Sequence, residues 1–370
     1  MTSGDFFESL QQHFNKTLPL VVYRKPNSKE VKALLQDNET IHYVNDFSES
    51  GFVYSPFDAL EKSIVMPLNA SEEIKTDFIL SRTTETSHQA TKYSDAEKAA
   101  HIHLVQQGIE AINHKDLQKV VLSRCETVNL SDSHPIEIFK RLMNAYPNAF
   151  VYCWCHPKIG LWLGATPETL LKVDGNQFST MALAGTQKYE DTLEVIWKTK
   201  EKEEQQLVTD FITNSLKNLV HPLNVSEPMT LKAGSLLHIK TSISGILKTS
   251  LKSVIKKIHP TPAVCGFPKA HAKQFILKHE NYNREYYTGF LGELNLQLKQ
   301  TRNTNRRNVE NNAYATIRTC SHLFVNLRCM QLKKQQALIY VGGGITKDSI
   351  AENEWHETVN KTQTMKRVLD

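Results

Sequence analysis

Four glutamates fall into two pairs with the same spacing: Glu201 and Glu204 in KEKEEQQLV, and Glu354 and Glu357 in AENEWHETVNK. On a helix, residues three apart share a face, so each pair brings two carboxylates together and calls for a cation to offset their repulsion. If two such helices face one another, their oxygen donors suit Mg²⁺, a hard ion that takes one or two protein carboxylates directly and keeps water or ligand oxygens elsewhere in its octahedron. Four direct glutamates exceed that number. Acid–base chemistry has candidates too. Lys119 opens the strand-like KVVLSR, and Glu168 follows the Gly and Pro of GATPE. Burial that lowers a Lys pKa and raises a Glu pKa fits such a pair as base and acid.

A third set of residues suits anions. ALAGT, with Gly185 and Thr186, and YVGGGIT, with Gly342 and Gly344, are glycine-rich turns whose free N–H groups can receive one. Arg328 lies in the strand pattern VNLRCMQL, where a guanidinium among apolar residues needs an anionic partner or a solvent-facing side. HPTPAVCGFP holds His259 between extended, proline-restricted backbone.

These residues must be positioned by the elements around them. SDAEKAAHIHLVQQGIEAINHKD (94–116) has helical apolar spacing behind a Ser cap, and KVVLSRCETVNL (119–130) is β-branched and strand-like. AFVYCWCHP and GLWLGATPETLLKV predict consecutive strands, and SLLHIKTSISGILK (235–248) alternates like another. Long and short amphipathic helices are expected over 191–219 and 270–283. LGELNLQL and LFVNLRCMQLKKQQALIYVGGG predict hairpin strands, with a polar loop at 299–314, and mainly antiparallel pairing is expected. Residues 1–96 carry weaker patterns and no motif.

Composition excludes some classes of protein. With 44 Lys and Arg against 39 Asp and Glu, the net charge of +5 over 370 residues forces no basic surface. The basic stretch RNTNRRN (302–308) lacks the interleaved aromatics of a nucleic-acid site, so no nucleic-acid partner is expected. The six cysteines show no CxxC pair, which predicts reduced thiols. MTSGDFFESLQQHF is polar and acidic, and no apolar run approaches about 18 residues. The expectation is a cytoplasmic protein without membrane spans. The length allows either two domains or one large α/β sandwich.

KVVLSR, GATPETLL, ALAGT, KEKEEQQLV, LLHIKTSISG, HPTPAVCGFP, REYYTGFLGEL, YVGGGI and ENEWHETVNK run through residues 119–361 in the order and spacing of the chorismate-utilising enzymes. The chain resembles an isochorismate synthase over roughly its last three quarters. The resemblance implies one α/β sandwich of stacked, mainly antiparallel sheets with helices outside, residues 1–96 forming its N-terminal part and 97–370 the chorismate-binding region. It also implies Mg²⁺ as cofactor, held directly by Glu204 and Glu357 and supported by Glu201 and Glu354. The ion would hold the ring carboxylate of chorismate, while Arg328 and Tyr287 meet the enolpyruvyl carboxylate. Gly342, Gly344 and Lys361 would complete the anion-binding wall, with Gly185, Thr186 and His259 as further substrate contacts. Lys119 is implied as the base and Glu168 as the acid.

Within that family, the anthranilate synthases, which add ammonia, typically have Gln where this chain has Lys119, so Lys119 favours water. Aminodeoxychorismate synthases carry a nucleophilic Lys where this chain has Ala184. The expected partner is therefore chorismate alone, with no glutamine amidotransferase subunit, and the expected state is a monomer. A salicylate synthase, which shares Lys and Glu and then eliminates pyruvate, stays open as an alternative. So does the destination of the product, whether menaquinone, a siderophore or salicylate. Gln205, Gly343 and Gln187-Lys188 depart from the family pattern, which bears on substrate orientation and rate.

Overall fold

Strands Leu20–Arg24 (β1), Phe150–His156 (β8) and Gly160–Thr166 (β9) are rich in β-branched and aromatic residues and buried along nearly their whole length. Burial on both faces is what a strand needs when a second sheet covers one side and helices the other. In β8, Val151 and Cys153 point outward beneath helices, while Phe150, Tyr152 and Trp154 point inward. The computed structural model describes residues 1–79, 93–130, 134–233, 236–300 and 316–369.

Two sheets result, and every strand pair among the described residues is antiparallel. The first runs Gly266–Phe267 (β15), Lys119–Asn129 (β7), Gln336–Ile345 (β19), Cys329–Lys333 (β18), β9, β8, β1, Glu30–Gln36 (β2) and Ser71–Asp77 (β6). The second runs Val220–Val225 (β12), Leu236–Leu247 (β14), Gln177–Lys188 (β11), Thr169–Asp174 (β10), Thr316–Val325 (β17), Phe290–Gln300 (β16), Gly51–Ser55 (β4), Ile64–Pro67 (β5) and His42–Tyr43 (β3), with Met229–Ala233 (β13) also paired to β14. This is the expected α/β sandwich, and strands from the first 77 residues lie in both sheets.

Between the sheets lies an aromatic layer. Tyr54 stacks on Tyr286 with ring centroids 4.2 Å apart, and Phe150 stacks on Phe324 at the same distance. Aromatic rings bury large areas and set the sheet spacing by offset contact. Outside, helices Thr199–Leu216 (α4) and Leu251–Ile258 (α5) cover the second sheet, and Pro135–Ala145 (α3) covers the first with Ser3–Asn15 (α1). Asp95–Asn113 (α2) and Lys269–His279 (α6) flank β7, and Ala351–Lys366 (α7) packs along β19 and α2.

Some boundaries differ from expectation. The helix expected over 191–219 begins only at Thr199, because Asp191 takes a left-handed φ of 57° and Trp197 is tied by its indole N–H to Thr230 Oγ1 at 3.0 Å. Ser94 sits at the start of α2, but its side chain makes no capping hydrogen bond. The shorter helix expected over 270–283 ends at His279, since Glu280 is turned inward to Ser123 and Arg284. β16 continues through Gln300, and the rest of the stretch expected as a polar loop, including RNTNRRN, lies outside the described residues.

Candidate active site

Glu204 of α4 and Glu354 and Glu357 of α7 converge on the glycines of β19, while Glu201 packs against Gly185 of β11. A Cβ on Gly344 would lie 2.5 Å from Glu204 Oε1, so a side chain there would displace the carboxylate. At Gly343 a Cβ would stand 3.4 Å from Glu354 Oε2 and 3.8 Å from Glu357 Oε1. The cations required by the glutamate spacing are lysines. Lys119 Nζ donates to Glu204 Oε1 at 2.6 Å, Lys200 Nζ to Glu354 Oε1 at 2.9 Å, and Lys361 Nζ to Glu357 Oε1 at 2.6 Å. Lys361 also donates to the Gly342 carbonyl at 2.9 Å. Glu201, in the first turn of α4, has its Oε2 buried without a hydrogen-bond partner among the described residues.

Burial opposes ionisation of Glu204, but Lys119, Lys200 and Lys361 outweigh it and hold the carboxyl below its ordinary value. Glu354 shifts the other way, raised by burial and by Glu357 against the pull of Lys200. Oxygen donors from two helices, a glycine cradle and an unpartnered buried carboxylate oxygen make a setting whose chemistry fits a hard divalent cation. With each of three carboxylates drawn to its own lysine, the described side chains form no closed cluster of three or more metal-ligating groups.

Glu168 lines the same cavity. It follows β9 and is 4% exposed. Burial pushes its carboxyl up to about 8 against the opposing charges of Lys119 and Arg328, so it carries a proton near neutral pH. That burial has a stability consequence. The unfolded carboxyl ionises near 4.5, so the folded state loses stability as pH rises from that value through about 8. Glu168→Gln removes the effect. Its melting temperature should match the wild type near pH 4.5 and exceed it by a margin that grows to about pH 8 and then levels off, as read by calorimetry across that range; a difference constant from pH 4.5 to 8 would show that ionisation is not the cause.

Arg328 lies between β17 and β18 rather than inside a strand, with φ of 47°. Its corner is held by fully buried Asn326, which accepts from Tyr152 Oη at 2.6 Å and donates to the Tyr286 carbonyl at 2.9 Å. His238 on β14, a residue that the sequence reading did not single out, meets the guanidinium. Its Nδ1 lies 2.8 Å from the Gly185 carbonyl and its Nε2 3.0 Å from Arg328 Nη2. A carbonyl can only accept, so Nδ1 carries the proton and Nε2 accepts from Arg328. Burial and Arg328 lower the imidazole to about 3, keeping it neutral. The available signal was a His in an apolar alternating strand, facing away from the core side and needing a partner.

Glu168, Gly185, Thr186, Glu201, Glu204, Tyr287, Arg328, Gly342, Gly344, Glu357 and Lys361 all line this cavity, together with Lys200 and His238. Gly185 takes φ of 69°, which lets β11 turn beneath Glu201. Tyr287 is held by the segment that the buried Arg284–Glu280 pair ties to β7. Three expected residues do not line the cavity. Glu354 lies behind the wall on Lys200, and Lys119 lies behind Glu204. His259 is buried in the core, edge-on to Phe290 at 4.9 Å, because the expected turn before β15 folds it inward. Gln205, where the family pattern has His, donates to the Ala182 carbonyl and Thr241 Oγ1, each at 3.0 Å, and so fixes α4 to the sheet.

The chain belongs to the chorismate-binding enzyme family: a chorismate binding enzyme profile matches residues 52–300, more than half of the chain, and a second one matches 314–367. Among curated relatives, anthranilate synthase component 1 of Lactococcus lactis is 27% identical over 327 residues, covering 83% of this chain and 66% of the relative. Isochorismate synthase EntC of Escherichia coli is 28% identical over 267 residues, covering 68% of this chain and 62% of the relative. The chain thus spans less than two thirds of the length of these relatives. In fold it is similar to a putative 2,3-dihydroxybenzoate-specific isochorismate synthase, DhbC, from Bacillus anthracis, with a TM-score of 0.75, 22% identity and coverage of 97% of this chain and 99% of that one.

Proposed function

We propose that the protein is an isochorismate synthase that converts chorismate to isochorismate with Mg²⁺. The observation that carries this reading is Glu168, a buried carboxyl that keeps its proton to about pH 8 and faces a cavity walled by Arg328, Lys361 and the glutamates. A general acid of that kind suits departure of the C4 hydroxyl. Lys119, which would be neutral in the Mg²⁺-bound complex, would take a proton from water as the water oxygen bonds to C2; the ring double bond shifts, and the C4 hydroxyl leaves with the Glu168 proton. Arg328 and Tyr287 would hold the enolpyruvyl carboxylate. Lys361 and the N–H groups of Gly342 to Gly344 would face the other anionic groups.

Glu204 and Glu357 would hold Mg²⁺ directly, with Glu201 and Glu354 supporting them, and the ion would supply charge neutralisation and anchoring for the ring carboxylate. The residues that separate the branches of the family, Lys119 and Ala184, favour water over ammonia. No helix among the described residues is long and apolar enough to cross a membrane, and all six cysteines are unpaired, which supports a cytoplasmic enzyme.

Incubation with chorismate and Mg²⁺ followed by chromatography tests the reading. Because the reaction moves one hydroxyl position to another, the same mixture of chorismate and isochorismate should form from either side, without pyruvate. Pyruvate released in proportion to chorismate consumed, read by coupling to lactate dehydrogenase, would move the assignment to salicylate synthase. Unchanged chorismate would refute the family activity altogether.

A further inference from the structure

Asn326 is a polar residue in an apolar run, LFVNL, and it is fully buried. Its side-chain amide and its backbone are both fully engaged. Oδ1 accepts from Tyr152 Oη at 2.6 Å, and Nδ2 donates to Tyr54 Oη at 3.1 Å and to the Tyr286 carbonyl at 2.9 Å. The backbone N–H donates to the Gly289 carbonyl at 2.8 Å, and the backbone carbonyl accepts from the Thr288 N–H at 2.9 Å. The bonds to Tyr286, Thr288 and Gly289 grip the chain on either side of Tyr287, and Arg328 lies two residues beyond Asn326. One buried residue so ties together Tyr287 and Arg328, which both line the cavity.

Both ends of this link are strained. Thr288, β-branched and fully buried, takes φ of 60°, and Arg328 takes φ of 47°. A residue other than glycine stays in that left-handed region only where its surroundings fix it. Thr288 is fixed by its bond to Asn326 and by Arg284 Nη1, which donates to its Oγ1 at 3.2 Å. The Arg328 carbonyl accepts from the Ala165 N–H on β9 at 3.0 Å, and the Leu327 N–H closes a tight turn on the Val325 carbonyl at 2.9 Å. Glu168 has a support of its own. Its carbonyl accepts from the Val325 N–H at 3.0 Å, where the β10–β17 ladder ends, and among the described residues no bond from Asn326 reaches it.

We propose that Asn326 is a positioning residue that makes Tyr287 and Arg328 one preformed clamp for the enolpyruvyl carboxylate. The inference rests on the proposed function. Two donors converge on one carboxylate at full strength only if their separation is set before it arrives; otherwise part of the binding energy goes into ordering them. The clamp holds the same group before and after the ring reacts, so its stiffness acts on affinity and not on the chemical step.

In Asn326→Ala, kcat/KM for chorismate should fall by about tenfold or more, the scale of one weakened hydrogen bond to a charged group, all of it as a rise in KM with kcat within about twofold of wild type. In an Arg328→Gln background the same substitution should lower kcat/KM by less than about twofold, because the clamp is already open. Tyr152→Phe removes one hydroxyl and keeps the ring. It should raise KM about threefold, and it decides the matter if circular dichroism shows Asn326→Ala unfolded. Equal losses in both backgrounds, a fall in kcat without a rise in KM, or a Tyr152→Phe variant with wild-type KM overturns the clamp while leaving the functional reading intact. Wild-type protein that neither binds nor converts chorismate overturns the functional reading, and the clamp with it.

Discussion

Replacing Lys119 by Ala, or Glu168 by Gln, should lower turnover of chorismate by at least about a hundredfold in both directions, the usual scale for a positioned base or acid. Microscopic reversibility exchanges their roles, so neither direction escapes. Substrate binding should survive, because Arg328, Lys361 and the metal-holding glutamates are untouched, and calorimetry with Mg²⁺ should show chorismate affinity largely retained. The wild-type forward rate should also fall as pH rises through about 8, where Glu168 gives up the proton that it must donate. A Lys119→Ala variant with normal turnover would mean that water is activated elsewhere. A flat forward rate from pH 6 to 9 would remove Glu168 from the role of acid.

Glu204→Gln and Glu357→Gln should each abolish Mg²⁺ binding by calorimetry and turnover with it, while circular dichroism shows the fold retained. The two variants should differ in stability. Glu204 is the ion-pair partner of Lys119, which is 1% exposed, so Gln at 204 leaves a buried ammonium without its counter-charge, at a cost on the order of 3 kcal/mol. Glu357 and Lys361 form an accessible pair along α7, and its loss should cost about 1 kcal/mol or less. The melting temperature should therefore fall clearly in the first variant and little in the second. Full activity of either variant, or activity undiminished by EDTA, would remove the metal site.

Much of the catalytic half was legible because its signals are local. The i, i+3 glutamates needed only a helix to share a face, β14 announces itself by alternation, and β7 and the β8–β9 hairpin announce themselves by β-branched and apolar runs beside turn residues. What escaped depends on neighbours distant in sequence. The start of α4 is set by Trp197 reaching Thr230 on β13, and no periodicity in 191–198 records that contact. His259 sits among prolines that suggest a functional loop, yet its ring faces Phe290 in the core. Lys119 could be recognised by its motif, but its placement behind Glu204 follows from how α4 lies on the sheet. His238 lies within LLHIKTSISG, and its importance shows only with Arg328 beside it. Among the N-terminal strands, β1 and β4 are five residues long and buried throughout, so neither shows the polar alternation that marks a half-exposed strand.

The order of strands also sets a timetable for synthesis. β1, β2 and β6 lie side by side in one sheet, and β4, β5 and β3 in the other, so the first 77 residues can pair among themselves as they emerge. Their inner edges cannot be satisfied so soon. β1 waits for β8, whose Trp154 pairs with Val21, and β4 waits for β16, whose Leu291 pairs with Tyr54, 237 positions later (291 − 54). At about 5–20 residues per second, that second edge stays open for roughly 12–47 seconds on the ribosome. During that interval Phe52 and Tyr54 face water instead of the aromatic layer, and the nascent chain carries an unpaired, apolar strand edge that invites association with other chains.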